Sequence, residues 1–219
     1  MSPDTSGLDI QHVKASDGRV PQARGLATRT KLLQSTSALL QVHRYHDITV
    51  ADIAGEAQTS TATFYQYFPD IASAALELVR LVIDEGGRMT KIVRETDWSG
   101  PSAYTGSEAL ASEFLSFWAE HMAILRVLDL FLAEGDRRFY ELRLRFLSEV
   151  TDEITHAAGR YRTHSGEAGS AEPRAVGAVL VSMLAHVAAH QTGMQTEGIA
   201  TAETQKVMAQ IIHHAITGR

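Results

Sequence analysis

Apolar residues recur at helical spacing along most of the chain, and the breaks between the runs are short, polar or marked by proline and glycine. The pattern predicts an all-α protein. Between Arg24 and His43, Leu32, Leu33, Thr36, Leu39 and Leu40 mark one face of a first helix. The stretch Thr49 to Phe68 reads as two short helices around a tight turn. Thr49 offers an N-cap with Asp52 in the first turn behind it, and Ala51, Ile53, Ala54 and Ala57 form a small apolar face. Gln58-Thr59 breaks the pattern. Ser60 then offers a second N-cap before Thr61 to Phe68, whose Ala62 and Phe64 lean back on the helix before.

Pro69-Asp70 stops that helix and caps a long one carrying Leu76, Val79, Val82 and Ile83 toward Val93. Gly86-Gly87 falls inside it at a cost of about 1 kcal/mol per glycine relative to alanine, so a kink or hinge is expected there. Asp97 to Gly106 reads as a loop. Ser107 to Glu134 is apolar on too many sides for one buried stripe, which implies a helix pair central to its domain or the wall of a cavity. Asp136 to Tyr161 is amphipathic again, and Thr163 to Glu172 is a polar loop. Pro173 opens a helix at a favoured N-terminal position, and Thr201 opens the last.

The outward face of the second short helix carries the chemistry. Thr61, Thr63 and Gln66 are short or amide-bearing groups suited to base edges, and the Tyr65 and Tyr67 hydroxyls suit phosphate oxygens. A polar helical hairpin would share the same spacing. A merely solvated helix more usually carries Lys and Glu, yet such hairpins are common, and on the residues alone the two readings stand level.

The run DIAGEAQTSTATFYQYFPD resembles the DNA-binding signature of TetR-type repressors at Ile53, Ala54, Ala57, Ser60, Thr63, Phe64, Tyr65, Tyr67 and Phe68. The resemblance implies a head over 23–70 with a leader over 1–22, and a helical ligand-binding and dimerisation domain over 71–219. The DNA contacts it implies, with the reading above, are Arg24, Arg29, Thr49, Ser60, Thr61, Ala62, Thr63, Tyr65, Gln66 and Tyr67. Two positions depart from the family pattern. Gln58 stands where glycine is usual at the turn, which implies strain or a different turn, and Ile71 stands where a phosphate-binding lysine is common.

The resemblance also implies a homodimer on a palindromic operator, controlled by a hydrophobic small molecule. Leu110, Phe114, Phe117, Trp118, Leu125, Leu128, Phe131, Phe139, Phe146 and Met183 are the candidate pocket residues, with His121, Glu134 or Arg126 supplying polarity. Packed core is the other reading of the same side chains. The FWxEH and DLFLAEGDRRF segments resemble regulators that sense long-chain acyl-CoA esters. Val176, Val179, Leu180, Met183, Leu184, Val187, Val207, Met208, Ile211 and Ile212 are the expected dimer interface, with intramolecular core as the alternative.

Composition narrows the rest. At 219 residues and 44% hydrophobic, the chain holds a small head plus one larger domain, and with no cysteine it has neither disulfide nor thiolate metal site. Neither a membrane-spanning apolar run nor a signal-peptide centre appears, so a soluble cytoplasmic protein is expected. The net charge of −6 runs against nucleic acid, but Lys14, Arg19, Arg24, Arg29, Lys31 and Arg44 face only Asp17 between Val13 and Arg44. Residues 1–22 lack periodicity and read as a disordered basic leader; a merely solvated tail is the favoured reading over a minor-groove arm carrying Arg19 and Arg24. His186 and His190 stand four apart on one helix, yet Val187, Ala188 and Ala189 between them form no metal-binding motif, so no metal or cofactor is expected. No GxSxG, P-loop or GxGxxG after a strand is present, and an enzyme has no residues to rest on. The alternative from another class is a helical lipid- or acyl-CoA-binding module without promoter-specific regulation.

Overall fold

The computed structural model describes residues 23–165 and 172–218, and the side chains within them except those of 23, 24 and 162–165. The expected leader, with Arg19, and most of the loop expected over Thr163 to Glu172 lie outside the described residues, as does the Arg24 side chain. All regular structure among the described residues is helical: α1 (Ala23–Val42), α2 (Val50–Glu56), α3 (Thr61–Tyr67), α4 (Ile71–Glu85), α5 (Gly87–Glu95), α6 (Ala103–Ala133), α7 (Arg137–Ser165), α8 (Pro173–Ala189), α9 (Gln191–Thr196) and α10 (Thr201–Thr217), with a short 3-10 turn at Tyr45–Asp47. They fall into two compact units. One holds the described residues up to Asp84 together with Ala123–Leu142, and the other holds Glu85–Met122 and the chain from Arg143 onward.

In the first unit α2 packs on α1 and on α3. Leu32, Leu33, Ile53, Phe64 and Leu78 are fully buried there, with Phe68 close behind. α2 starts in a capping box: the Thr49 hydroxyl accepts from the Asp52 N–H at 3.2 Å, and the Asp52 carboxylate accepts from the Thr49 N–H at 2.9 Å. It ends in a Schellman turn, in which the Gln58 N–H reaches the Gly55 carbonyl at 2.9 Å and the Thr59 N–H reaches that of Ala54 at 2.8 Å. That turn places Gln58 at φ 51°, in the left-handed region, so of the two outcomes implied by glutamine in place of glycine it is the strained one. The Gln58 amide oxygen accepts from Lys31 Nζ at 3.3 Å, tying the turn to α1.

α4 starts where Pro69-Asp70 placed it, with the Asp70 carboxylate accepting from the Ser73 N–H at 2.6 Å. It is interrupted at Gly86, where the glycine pair predicted a break, and α5 follows at once. Inside this unit Arg29 is 5% exposed. Its guanidinium stands 5.0 Å from the Phe68 ring centre and 3.6 Å from the carboxylate of Glu77 on α4. Ser107 to Glu134 is not a helix pair: all of it but Glu134 lies in one unbroken helix of 31 residues, α6, which is apolar on several sides because its two halves serve the cores of different units. α6 stops at Gly135, φ 80°, in the same Schellman geometry that ends α2.

In the second unit Leu110, Phe114, Phe117 and Trp118 of α6 are buried with Phe146, Val150 and Ile154 of α7. The segment before α6 carries a buried anchor, Trp98, whose indole N–H donates to the Val93 carbonyl at 2.9 Å. Gly106 passes so close to the Thr96 side chain that a Cβ there would collide with it. Glu172 caps α8, accepting from the N–H groups of Arg174 and Ala175 at 3.0 and 2.8 Å. α10 packs on α8, burying Leu180 and Leu184 from one and Met208 and Ile212 from the other. Buried Gln191, at the start of α9, donates to the Leu115 carbonyl at 3.0 Å.

Two outcomes test this account. Glu77→Ala strands the buried Arg29 guanidinium and is expected to cost about 3–5 kcal/mol in urea unfolding, whereas the double replacement Arg29→Leu/Glu77→Leu recovers most of the loss. The Thr49 hydroxyl, then the Thr49 N–H, hold the Asp52 carboxyl below its ordinary value, with a smaller contribution from His43. A depressed folded value contributes stability that is present above the unfolded value and is lost as pH falls through the folded one. Thr49→Val should therefore raise the Asp52 midpoint in a carboxyl NMR titration, and an unmoved midpoint excludes the hydroxyl as the cause.

Candidate functional site

α3 is seven residues long, too short to stand alone, and its orientation is fixed by Phe64, which is fully buried and packs against Phe68 with ring centres 5.7 Å apart. With Phe64 turned inward, helical periodicity turns Thr61, Ala62, Tyr65 and Gln66 outward, and all four are exposed. Tyr65 is 57% exposed, its ring edge-on to Phe64 at 5.7 Å. Thr63 and Tyr67 are half-buried at the flank of this face. The candidates on α3 thus form one short strip of hydroxyl, methyl, phenol and amide, the mixture of groups that reads base edges and touches phosphates.

The helix starts are already occupied by caps. Ser60 Oγ accepts from the Thr63 N–H at 3.1 Å and lies 2.9 Å from the Thr63 hydroxyl, while the Thr49 hydroxyl donates to Asp52 Oδ2 at 2.6 Å. Both residues remain exposed, so each has a capping role beside any contact it makes. Arg29 is a correction. Expected at the phosphates, it is buried over the Phe68 ring with Glu77 as its ionic partner, and its guanidinium is part of the core of the unit. Helical spacing did carry this signal, since Arg29 stands in register with Leu32, Leu33 and Thr36 on the α1 core face; what spacing could not show is the carboxylate that pairs with it there. The link from Lys31 to Gln58 had no local signal either.

The ten candidate pocket residues are assembled in two places. Leu110, Phe114, Phe117, Trp118 and Phe146 are buried in the second unit, where Phe114 stacks on Trp118 at 5.7 Å and Phe117 lies 5.3 Å from Phe146. Met183, in the same unit, is half-buried. Leu125, Leu128, Phe131 and Phe139 are buried in the first, with Phe131 stacked on Phe139 at 4.3 Å. A cavity of ≈ 200 Å³ beside Trp98 and Tyr161 and a cleft of ≈ 450 Å³ at the end of α1 are lined by other residues.

Of the proposed polar groups, His121 lies 3.3 Å from a Glu85 oxygen, with Arg88, Glu113 and Glu120 in the same cluster. Burial holds its imidazole below the ordinary histidine value, against the opposing pull of Glu85 and Glu120. Glu134 stands 3.5 Å from His46, and Arg126 lines the cleft.

The expected interface residues divide by exposure. Leu180, Leu184, Met208 and Ile212 are buried within the chain, and Val176, Met183 and Val187 are half-buried. Val179, Val207 and Ile211 are 71%, 50% and 38% exposed, an apolar set on the outer sides of α8 and α10. His186 and His190 stack with ring centres 4.1 Å apart, and a ring nitrogen of His190 lies 2.9 Å from the His186 carbonyl at the end of α8. Among the described residues no group of three metal-ligating side chains is assembled, and no helix is long and apolar enough to cross a membrane.

Residues 32–78 match the family profile of the bacterial regulatory proteins of the tetR family, and residues 89–219 match the tetracyclin repressor-like C-terminal domain. No curated protein matches the chain by sequence. Solved structures do match the fold. A TetR-family regulator from Mesorhizobium loti is 18% identical over 90% of this chain and 98% of its own, with a TM-score of 0.66. The fatty acid degradation regulator FadR from Bacillus halodurans is 15% identical over 89% and 96%, with a TM-score of 0.61. A transcriptional regulator from Saccharomonospora viridis in complex with choline is 15% identical over 86% and 96%, with a TM-score of 0.63. Since the head around α3 and the helical remainder are matched in order along one chain, the protein belongs to the TetR family of transcriptional regulators.

Proposed function

We propose that the protein is a cytoplasmic repressor that binds a palindromic operator as a homodimer, inserts α3 into the major groove and is released by a hydrophobic small molecule held among the helices of residues 71–219. The outward strip Thr61, Ala62, Tyr65 and Gln66 carries this reading, because it is exposed, polar in the way base edges require, and held on a buried aromatic anchor. The head contacts proposed here are those on α3 with Thr49 and Ser60. Arg29 has no direct part in them and supports the seat of α3.

The exposed Val179, Val207 and Ile211 supply the start of a two-fold helical interface, with Leu180, Leu184, Met208 and Ile212 as the packed layer beneath. For the effector, the aromatic cluster of Phe114, Phe117, Trp118 and Phe146 favours an apolar occupant, and a long-chain acyl-CoA is the specific candidate. Two fold neighbours have names tied to fatty acids and another is bound to choline, so the fold itself is compatible with unlike ligands. Release then requires that the ligand bind the non-operator arrangement more tightly than the operator-bound one.

Fluorescence anisotropy with the DNA flanking the protein's own coding region tests the central claim. Gln66→Ala should cost about 1–3 kcal/mol on the cognate operator and little on random DNA. Equal losses on both would move Gln66 to the phosphates, and absence of any operator binding by the unaltered protein would favour a ligand-binding module without a promoter. Charge placed in the proposed interface, Val179→Glu with Ile211→Glu, should shift the protein from dimer to monomer in sedimentation while its helical circular dichroism is retained. A persistent dimer removes that face from the interface.

A further inference from the structure

The cleft at the end of α1 is lined by cations beside apolar side chains. It is formed within the first unit by Leu40–His46 and by Ala123, Arg126, Val127 and Leu130 of α6, and encloses ≈ 450 Å³. Four of its lining residues are His43, Arg44, His46 and Arg126, and no aspartate or glutamate lines it. The chain as a whole has 26 acidic against 20 basic residues. Arg29, Arg80, Arg88, Arg94 and Arg138 each sit on a carboxylate. Arg44 and Arg126 are exposed, and neither forms an ion pair among the described residues.

Glu134 stands 3.5 Å from His46 at this cleft, but the two arginines have no carboxylate partner among the described residues, and the planar guanidinium fork matches carboxylate and phosphate oxygens. The opposite character is present in the same cleft. Leu40 is 7% exposed, Val127 4%, and Leu130 is half-buried, so an apolar wall lies beside the cations. The volume falls in the range of about 300–1,000 Å³ that small-molecule sites occupy.

We propose that this cleft binds a small amphipathic organic anion, with its carboxylate or phosphate group on Arg44 and Arg126 and its apolar body on Leu40, Val127 and Leu130. The site is separate from the aromatic cluster invoked for the effector, and its binding does not depend on that reading. Tyr45 and His46 on its wall precede the Thr49 cap of α2 by only a few residues, so an occupant bears on the seat of the helix-turn-helix from within the same unit.

Calorimetric titration of the full-length protein with octanoate, octyl phosphate and 1-octanol tests the proposal. At least one of the two anions should bind, and the uncharged alcohol should not. Binding of octanoate alone assigns a carboxylate and of octyl phosphate alone a phosphate. Arg44→Ala and Arg126→Ala should each weaken the anion about tenfold or more, the loss of a charged hydrogen-bonding partner. Both side chains are exposed, so the melting temperatures of these variants should match that of the unaltered protein. Leu130→Trp should block binding, and the bound anion should slow amide hydrogen exchange in 40–46 and 123–130. The proposal is overturned if neither anion binds, if 1-octanol binds equally well, or if both arginine variants bind as the unaltered protein does.

Discussion

A helix of seven residues has almost no stability of its own, since isolated helices below about 12–15 residues are marginal in water. α2 and α3 are both of that length, and α3 persists through the burial of one ring. Phe64 is fully enclosed and packs against the tilted ring of Phe68, and Arg29 lies over Phe68 with Glu77 as its counter-ion. The aim of the outward face follows from that ring. Ala62 and Gln66 stand two residues either side of Phe64, nearly opposite it on the helical wheel, so any loosening of the ring rotates the groups that face solvent. The same reasoning explains why a buried cation is tolerated in so small a core. Arg29 keeps the α1–α4 side of the seat in register, and it is lost to phosphate binding for that reason.

The turn between α2 and α3 shows the same demand for a fixed angle. Among the described residues three helices end in the same double hydrogen-bonded turn, at Gln58, Gly135 and Gly198, and of these only the first uses a residue with a Cβ in the left-handed region. A left-handed L-residue costs roughly 1–2 kcal/mol relative to a right-handed one, and the glutamine side chain offsets part of this by accepting a hydrogen bond from Lys31. What glycine would supply as freedom, Gln58 supplies as a tether between the turn and α1. The head is thereby stiffened at the point where its two short helices diverge.

Local chemistry was the legible part of this chain. Thr49, Ser60 and Asp70 lie at helix starts because a hydroxyl or carboxylate there satisfies free N–H groups, and the break at Gly86 follows from paired glycines. The inward and outward sides of α3 were readable for the same reason, since both follow from a period of 3.6. What escaped is whatever depends on a partner far along the chain. Trp98 sits in a segment with loop composition, yet it is buried against the end of α5. The fate of Arg29 depends on Glu77, forty-eight positions on. Ser107–Glu134 looked like two helices because its apolar residues cover more than one face, and a single rod built into two cores leaves the same pattern. The cleft around Arg126 was equally hidden, because its walls come from segments about eighty residues apart.

The division of the chain also limits how a bound molecule can influence α3. The boundaries between the two units fall at the last residue of α4, within α6 and within α7, so each passage is made by helical backbone. On the proposed function, the cost of admitting an effector is set by the stacked rings of Phe114 and Trp118, which are already in contact. An occupant must replace their contacts with apolar surface of its own, and only the surplus over that replacement is available to shift the heads. An extended apolar ligand meets that condition more readily than a compact polar one, because dispersion and burial both grow with the length of chain enclosed.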